Sequence, residues 1–169
     1  MPIAMKEATM SLFHRRGAAL VLGLIAAVAG QRAWADQRQP AAGAPVSPKY
    51  RQECAACHIA YPPGMLPAAS WQRLMNNLPS HYGSDASLDP ATVKELSAWL
   101  AANAGTHKRV GEAPPQDRIT RSAWFIREHD EVAISAWKLP AVKSPANCTA
   151  CHAQADQGDF NEHRVRIPR

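Results

Sequence analysis

The sequence has 169 residues, with 19 Lys and Arg against 14 Asp and Glu and a formal net charge of +5. Aromatics make up only 7%, with 9 Gly, 14 Pro and four Cys. That length holds one domain of ordinary size or two small ones, and over this stretch it excludes a large multidomain enzyme. So little apolar material implies that a compact interior needs disulfides, a metal or a prosthetic group as filler.

Residues 1–35 have the layout of a secretory signal peptide. Lys6, Arg15 and Arg16 form a basic start, Gly17 to Gly30 is apolar, and Ala33-Trp34-Ala35 fits a small-x-small cleavage site before Asp36. The apolar run is shorter than the ~20 residues a transmembrane helix needs. Its removal takes Lys6, Arg15, Arg16, Arg32 and Glu7, leaving 15 of the 19 basic and 13 of the 14 acidic residues, a net charge of +2. No Lys/Arg run survives that could neutralise several phosphates together, which argues against nucleic acid as a partner. No second stretch is long enough for membrane insertion. The expectation is an exported, periplasmic protein without stable membrane insertion after processing.

Residues 36–46 are rich in Ala, Pro, Gly and Gln and read as a flexible leader. Ser47-Pro48 offers an N-cap and an N1 proline, and Tyr50, Cys54 and Cys57 then share one helical face. Three prolines between Tyr61 and Pro67 impose an extended loop. Ser70 is positioned to cap a second helix with Trp71, Leu74, Met75 and Leu78 on one face, ended by Pro79. Asp89-Pro90 opens a third, with Val93, Leu96 and Leu100 as its stripe and Gly105 as C-terminal cap. Residues 106–117 are polar, with Pro114-Pro115, and read as a linker. Thr120 caps a fourth helix containing Trp124, Phe125 and His129. No strand alternation is evident, so the expected class is all-α with much irregular loop. The expected division is 47–105, linker 106–117, then 118–169.

Two motifs carry the chemistry. Cys54-Ala-Ala-Cys57-His58 and Cys148-Thr-Ala-Cys151-His152 are both C-x-x-C-H, the attachment pattern of c-type haem. On a helical turn two thiols three residues apart face one side, so each reaches a vinyl group of the same porphyrin. The next residue, histidine, then supplies the proximal imidazole. Covalent haem would also provide the missing apolar bulk. Two C-x-x-C pairs could instead bind zinc or do thiol–disulfide chemistry, but neither needs a histidine after each pair. With 7 His in 169 residues, finding one after both pairs by chance has odds of roughly 0.2%.

The sixth ligands decide function. Beyond residue 35 only Met65 and Met75 remain, and no methionine follows Met75, so the second haem has no His/Met ligation from its own half. The candidate histidines are His81, His107, His129 and His163. His81 follows the second helix, where a loop can swing it over the first haem. His129 follows Phe125 by one turn and can face the second. His107 lies in a polar linker and His163 in a charged tail. Two imidazoles on one iron favour the ferric state, lower the potential relative to His/Met, and leave no open position for substrate.

These residues resemble the dihaem cytochrome c family of bacterial periplasmic electron-transfer proteins. The resemblance lies in residues 53–88 (ECAACHIAYPPGMLPAASWQRLMNNLPSHYGSDASL), 118–129 (RITRSAWFIREH) and 147–162 (NCTACHAQADQGDFNE), and ends in Val-Arg-Ile-Pro. It implies two small haem-binding helical domains, the first similar to a monohaem cytochrome c fold. It implies His58 and His152 as proximal ligands, His81 of His-Tyr-Gly and His129 of Arg-Glu-His as distal ones, and Cys54, Cys57, Cys148 and Cys151 as attachment points. His107 and His163 match no motif. The family also implies a membrane-bound cytochrome b-type donor and a small oxygen-binding monohaem cytochrome c as partners. The alternative is a small dihaem oxidoreductase, peroxidase-like or thiosulfate-oxidising, with one displaceable axial ligand. No acid/base constellation beside a haem supports it.

Overall fold

Helix α1 (Pro48–Cys54) begins where the cap pattern puts it. Ser47 Oγ accepts the Tyr50 N–H at 3.4 Å, and Pro48 occupies the first turn. The computed structural model describes residues 46–169; the expected signal peptide (1–35) and nearly all of the expected leader (36–46) lie outside the described residues. Tyr50 is 2% exposed, between Trp71 (centroids 6.5 Å, edge-on) and Trp99 (5.1 Å). Its hydroxyl donates to the Tyr61 carbonyl at 2.9 Å. The proline-rich loop contains one 3-10 turn, Pro63–Met65. Trp71 Nε1 fastens that turn by donating to Pro63 O at 2.7 Å.

Helix α2 (Ala68–Met75) starts two residues before the expected cap, with Pro67 at its N-cap. Ser70 is inside the helix and fully buried, so it packs instead of capping. Helix α3 (Pro90–Ala102) follows the prediction: Asp89 accepts from Ala91 N and Thr92 N, both at 3.0 Å. The Leu96 and Leu100 side chains are 0% and 1% exposed and face α2. Gly105 lies beyond the helix, whose C-cap is Asn103. Its smallness serves another purpose. A Cβ there would stand 2.5 Å from Gly64 O, and the Gly105 N–H donates to Leu66 O at 2.9 Å. Only glycine lets these two backbones approach so closely.

The second apolar cluster joins Met65, Val110, Trp124 and Phe125. Val110 is buried although residues 106–117 are otherwise polar. Helix α4 (Ala123–Glu128) is capped by Ser122, not Thr120: Ser122 Oγ accepts the Phe125 N–H at 3.2 Å and donates to Ile119 O at 2.7 Å. Helix α5 (Ile134–Trp137) is a single turn. Beyond it come only 3-10 turns, at Cys148–Ala150, Ala155–Gln157 and Glu162–Arg164. Among the described residues there is no strand, only one antiparallel bridge between His81 and Ser84. The all-α class is therefore as expected. No described helix is long and apolar enough to cross a membrane.

Arg73 on α2 makes a two-toothed ion pair with Asp117, Nη2 to Oδ1 at 2.6 Å and Nε to Oδ2 at 2.9 Å. The Arg73 hydrogen bond holds the Asp117 carboxyl below the usual carboxylate range, with burial opposing. A depressed carboxylate stabilises the fold above its unfolded value of about 3.9 and ceases to do so as pH falls through its folded value. Asp117→Asn should therefore lower the melting temperature near neutral pH, and the difference from wild type should shrink below about pH 4. A pH-independent difference in thermal melts would contradict this.

Candidate haem sites

The first motif begins on a helix and ends off it. Cys54 is the last residue of α1, and Ala55 caps that helix through its N–H to Arg51 O at 3.0 Å. Cys57 and His58 follow in an exposed turn, so the expected helical face stops at Cys54. The second motif opens on the one-turn helix Cys148–Ala150, where the Cys151 N–H donates to Cys148 O at 3.2 Å. None of the four cysteines is in a disulfide. Burial pushes the Cys54 and Cys148 thiols up to about 11, and raises Cys151 too. Among the described residues no three His, Cys, Asp or Glu side chains converge as a metal cluster.

The histidines meet in pairs. The rings of His58 and His81 have centroids 6.1 Å apart with planes 31° from parallel. Those of His129 and His152 are also 6.1 Å apart, but 72° from parallel. A transition-metal–imidazole bond of ~2.0–2.1 Å, plus about 1.1 Å from nitrogen to ring centre, puts two axial imidazoles on one metal about 6.2–6.4 Å apart. Both pairs fit a single iron between them. Their hydrogen bonding agrees. His58 Nδ1 lies 2.7 Å from Ile59 O and His129 Nδ1 lies 2.8 Å from Phe125 O. A carbonyl only accepts, so each Nδ1 carries the proton and each Nε2 keeps a free lone pair. Among the described residues, the buried Nδ1 of His81 and that of His152 have no hydrogen-bond partner.

Both His81 and His152 are held below the usual histidine range, chiefly by burial and next by the facing histidine. Arg118 lowers His81 further, whereas Asp159 acts the other way on His152. A neutral imidazole is the form that ligates a metal.

His81 comes into place through a turn. After the 3-10 turn Leu78–Ser80 the chain is extended at His81, then left-handed at Tyr82 (φ 51°) and Gly83 (φ 97°). Tyr82 holds this unusual conformation with its hydroxyl on Gln116 O at 3.0 Å and Arg118 4.1 Å above its ring. His129 lies one residue past α4 and not within it. Its ring stacks on Phe125 at 4.0 Å and 21°. Trp137 stands beside His129 and Phe160 beside His152, at 5.8 and 5.5 Å.

His107 and His163 stay apart from these pairs: both are exposed, and His163 lies 3.8 Å from Glu162 in the tail. Met65, close to the first motif in sequence, is buried in the second cluster. Sequence reasoning missed Tyr61, three residues after His58, whose ring lies 4.9 Å from that histidine. Its only local signal was an aromatic at that spacing.

The dihaem cytochrome c family profile matches residues 50–160. The crystal structure of a dihaem cytochrome c purified from Rhodobacter sphaeroides is 43% identical, covers 69% of this chain and 98% of its own, with a TM-score of 0.60. The dihaem cytochrome c of Shewanella baltica OS155 is 36% identical, covering 74% of this chain and 95% of its own, with a TM-score of 0.64. No curated protein matches the chain. The profile match spans both attachment motifs. The chain therefore belongs to the dihaem cytochrome c family and carries two covalently bound haems c.

Proposed function

We propose that this electron-transfer protein works in the periplasm, relaying electrons from a membrane-bound cytochrome b-type donor to a small monohaem cytochrome c. In this reading residues 47–105 hold one haem and residues 118–169 the other. Cys54 and Cys57 attach the first and Cys148 and Cys151 the second. His58 and His81 bind the first iron, and His129 and His152 the second. The observation that carries the ligand assignment is the 6.1 Å spacing within both histidine pairs. The periplasmic reading is supported by the signal-peptide pattern of residues 1–35 and by the oxidising compartment in which such cytochromes are assembled. The partners rest on family resemblance.

When bound, the haem iron exchanges one electron between its ferric and ferrous states. The chain sets the conditions. The Ile59 and Phe125 carbonyls orient the imidazoles of His58 and His129. Two strong nitrogen donors per iron lower the potential relative to His/Met ligation. With His58 and His81 holding one iron and His129 and His152 the other, no position would be left for a substrate, and the group would supply electron transfer without bond chemistry. The aromatic rings of Tyr61, Phe125, Trp137 and Phe160 keep the surroundings apolar.

Optical spectra of the purified protein should show only low-spin haem in both oxidation states, with no change on adding carbon monoxide. Ferric electron paramagnetic resonance should resolve two low-spin species, because the ring planes stand 31° apart in one pair and 72° apart in the other. A high-spin band or a carbonyl complex would overturn the bis-histidine reading and favour an enzyme.

A further inference from the structure

We propose that Tyr61 is a positioning residue that couples the two haem sites, fixing the second attachment segment against the proximal histidine of the first. It rests on the bis-histidine reading above and deepens it. Its ring lies against His58, centroids 4.9 Å apart and planes 31° from parallel. Its hydroxyl donates to Ala146 O at 2.7 Å, across 85 residues of sequence. Ala146 stands two residues before Cys148. One side chain therefore touches the first motif's histidine and holds the strand of chain that presents the second motif's thiol.

Tyr61 is itself well held. Its carbonyl accepts from the hydroxyl of buried Tyr50, and its side chain packs against both apolar clusters. Haem attachment makes this bond more important. Ala146 O also accepts the Cys148 backbone N–H at 3.0 Å, and the Cys148 thiol lies 3.6 Å from it. Adding that S–H across a vinyl group forms a C–S bond and moves the hydrogen to carbon, so the thioether has no proton to donate. Among the described residues Tyr61 is then the remaining side-chain donor to that carbonyl, beside the Cys148 backbone N–H, and the contact that ties it to the first motif. Losing one such hydrogen bond changes the ratio of docked to undocked arrangements about two- to tenfold.

The test is Tyr61→Phe in the holoprotein, which keeps the ring and removes the hydroxyl. Electron exchange between the haems, measured by exchange NMR on half-reduced protein, should slow by about two- to tenfold. The shift of one haem's signals on oxidising the other should also shrink. Both irons should stay low-spin and inert to carbon monoxide, which checks ligation separately, so failure of the ligand reading is distinguishable from failure of this one. In wild type the Tyr61 ring protons should shift on oxidation of either iron, a readout that needs no variant. Unchanged exchange in Tyr61→Phe, or a wild-type Tyr61 ring that responds to the first iron alone, would overturn the proposal.

Discussion

Replacing Cys148 and Cys151 together by alanine should halve the haem that stays with the denatured chain. A c-type haem survives unfolding only through its thioether bonds, and each C-x-x-C-H pair supplies both of them for one porphyrin. The consequence for structure is large because the C-terminal region has so little else to bury. Its helices α4 and α5 span six and four residues. Its apolar cluster consists of Met65, Val110, Trp124 and Phe125, one of them supplied from the N-terminal half. Elements this short do not hold together alone. The variant should lose ordered helix around residues 118–169 while the first centre keeps a low-spin spectrum. The check is the ratio of haem absorbance to protein after denaturation and extraction. An unchanged ratio would mean that these thiols do not attach the cofactor.

His129→Met should raise the potential of one centre and leave the other nearly unchanged. Thioether donates less to iron than imidazole and favours the ferrous state. Axial ligands span about 0.8 V across haem proteins, so a rise on the order of 0.1 V is expected from this single exchange. His129→Ala should do something different: it opens one face, giving a high-spin fraction that binds carbon monoxide. The argument for this histidine is geometric. Its Nδ1 is engaged by Phe125 O at 2.8 Å, its ring is stacked on Phe125, and its remaining nitrogen is free beside His152. His81→Met should produce the matching rise at the other centre. Should neither variant move a potential or a spectrum, the distal ligands lie elsewhere, and His107 and His163 become the next candidates.

Some features were legible because they depend on neighbours in the chain. Asp89-Pro90 starts a helix through side-chain bonds two and three residues on. Ser47-Pro48 does the same for α1. Other caps were misread for a similarly local reason. Ser70 and Thr120 both have cap chemistry, but Ser70 is drawn into the core and Ser122 takes the role assigned to Thr120. Burial of Trp71 and Trp124 determines where α2 and α4 sit, and the helix ends adjust to it. Gly105 looked like a helix cap, yet its size matters because residue 64 passes within contact distance, which no local pattern encodes.

By itself the sequence determined the two C-x-x-C-H motifs, the helical class and the shortage of apolar bulk. All three follow from composition and from spacings of a few residues, where covalent geometry dictates the outcome. Beyond the proximal pair, it favoured His81 and His129 over His107 and His163 by position and by resemblance, without placing any of them in space. Only the tertiary structure decided that His81 faces His58, that His129 faces His152, and that Tyr61 reaches Ala146. Those meetings join residues far apart in the chain, and they exist because packing of the two apolar clusters brings the loops that bear them together.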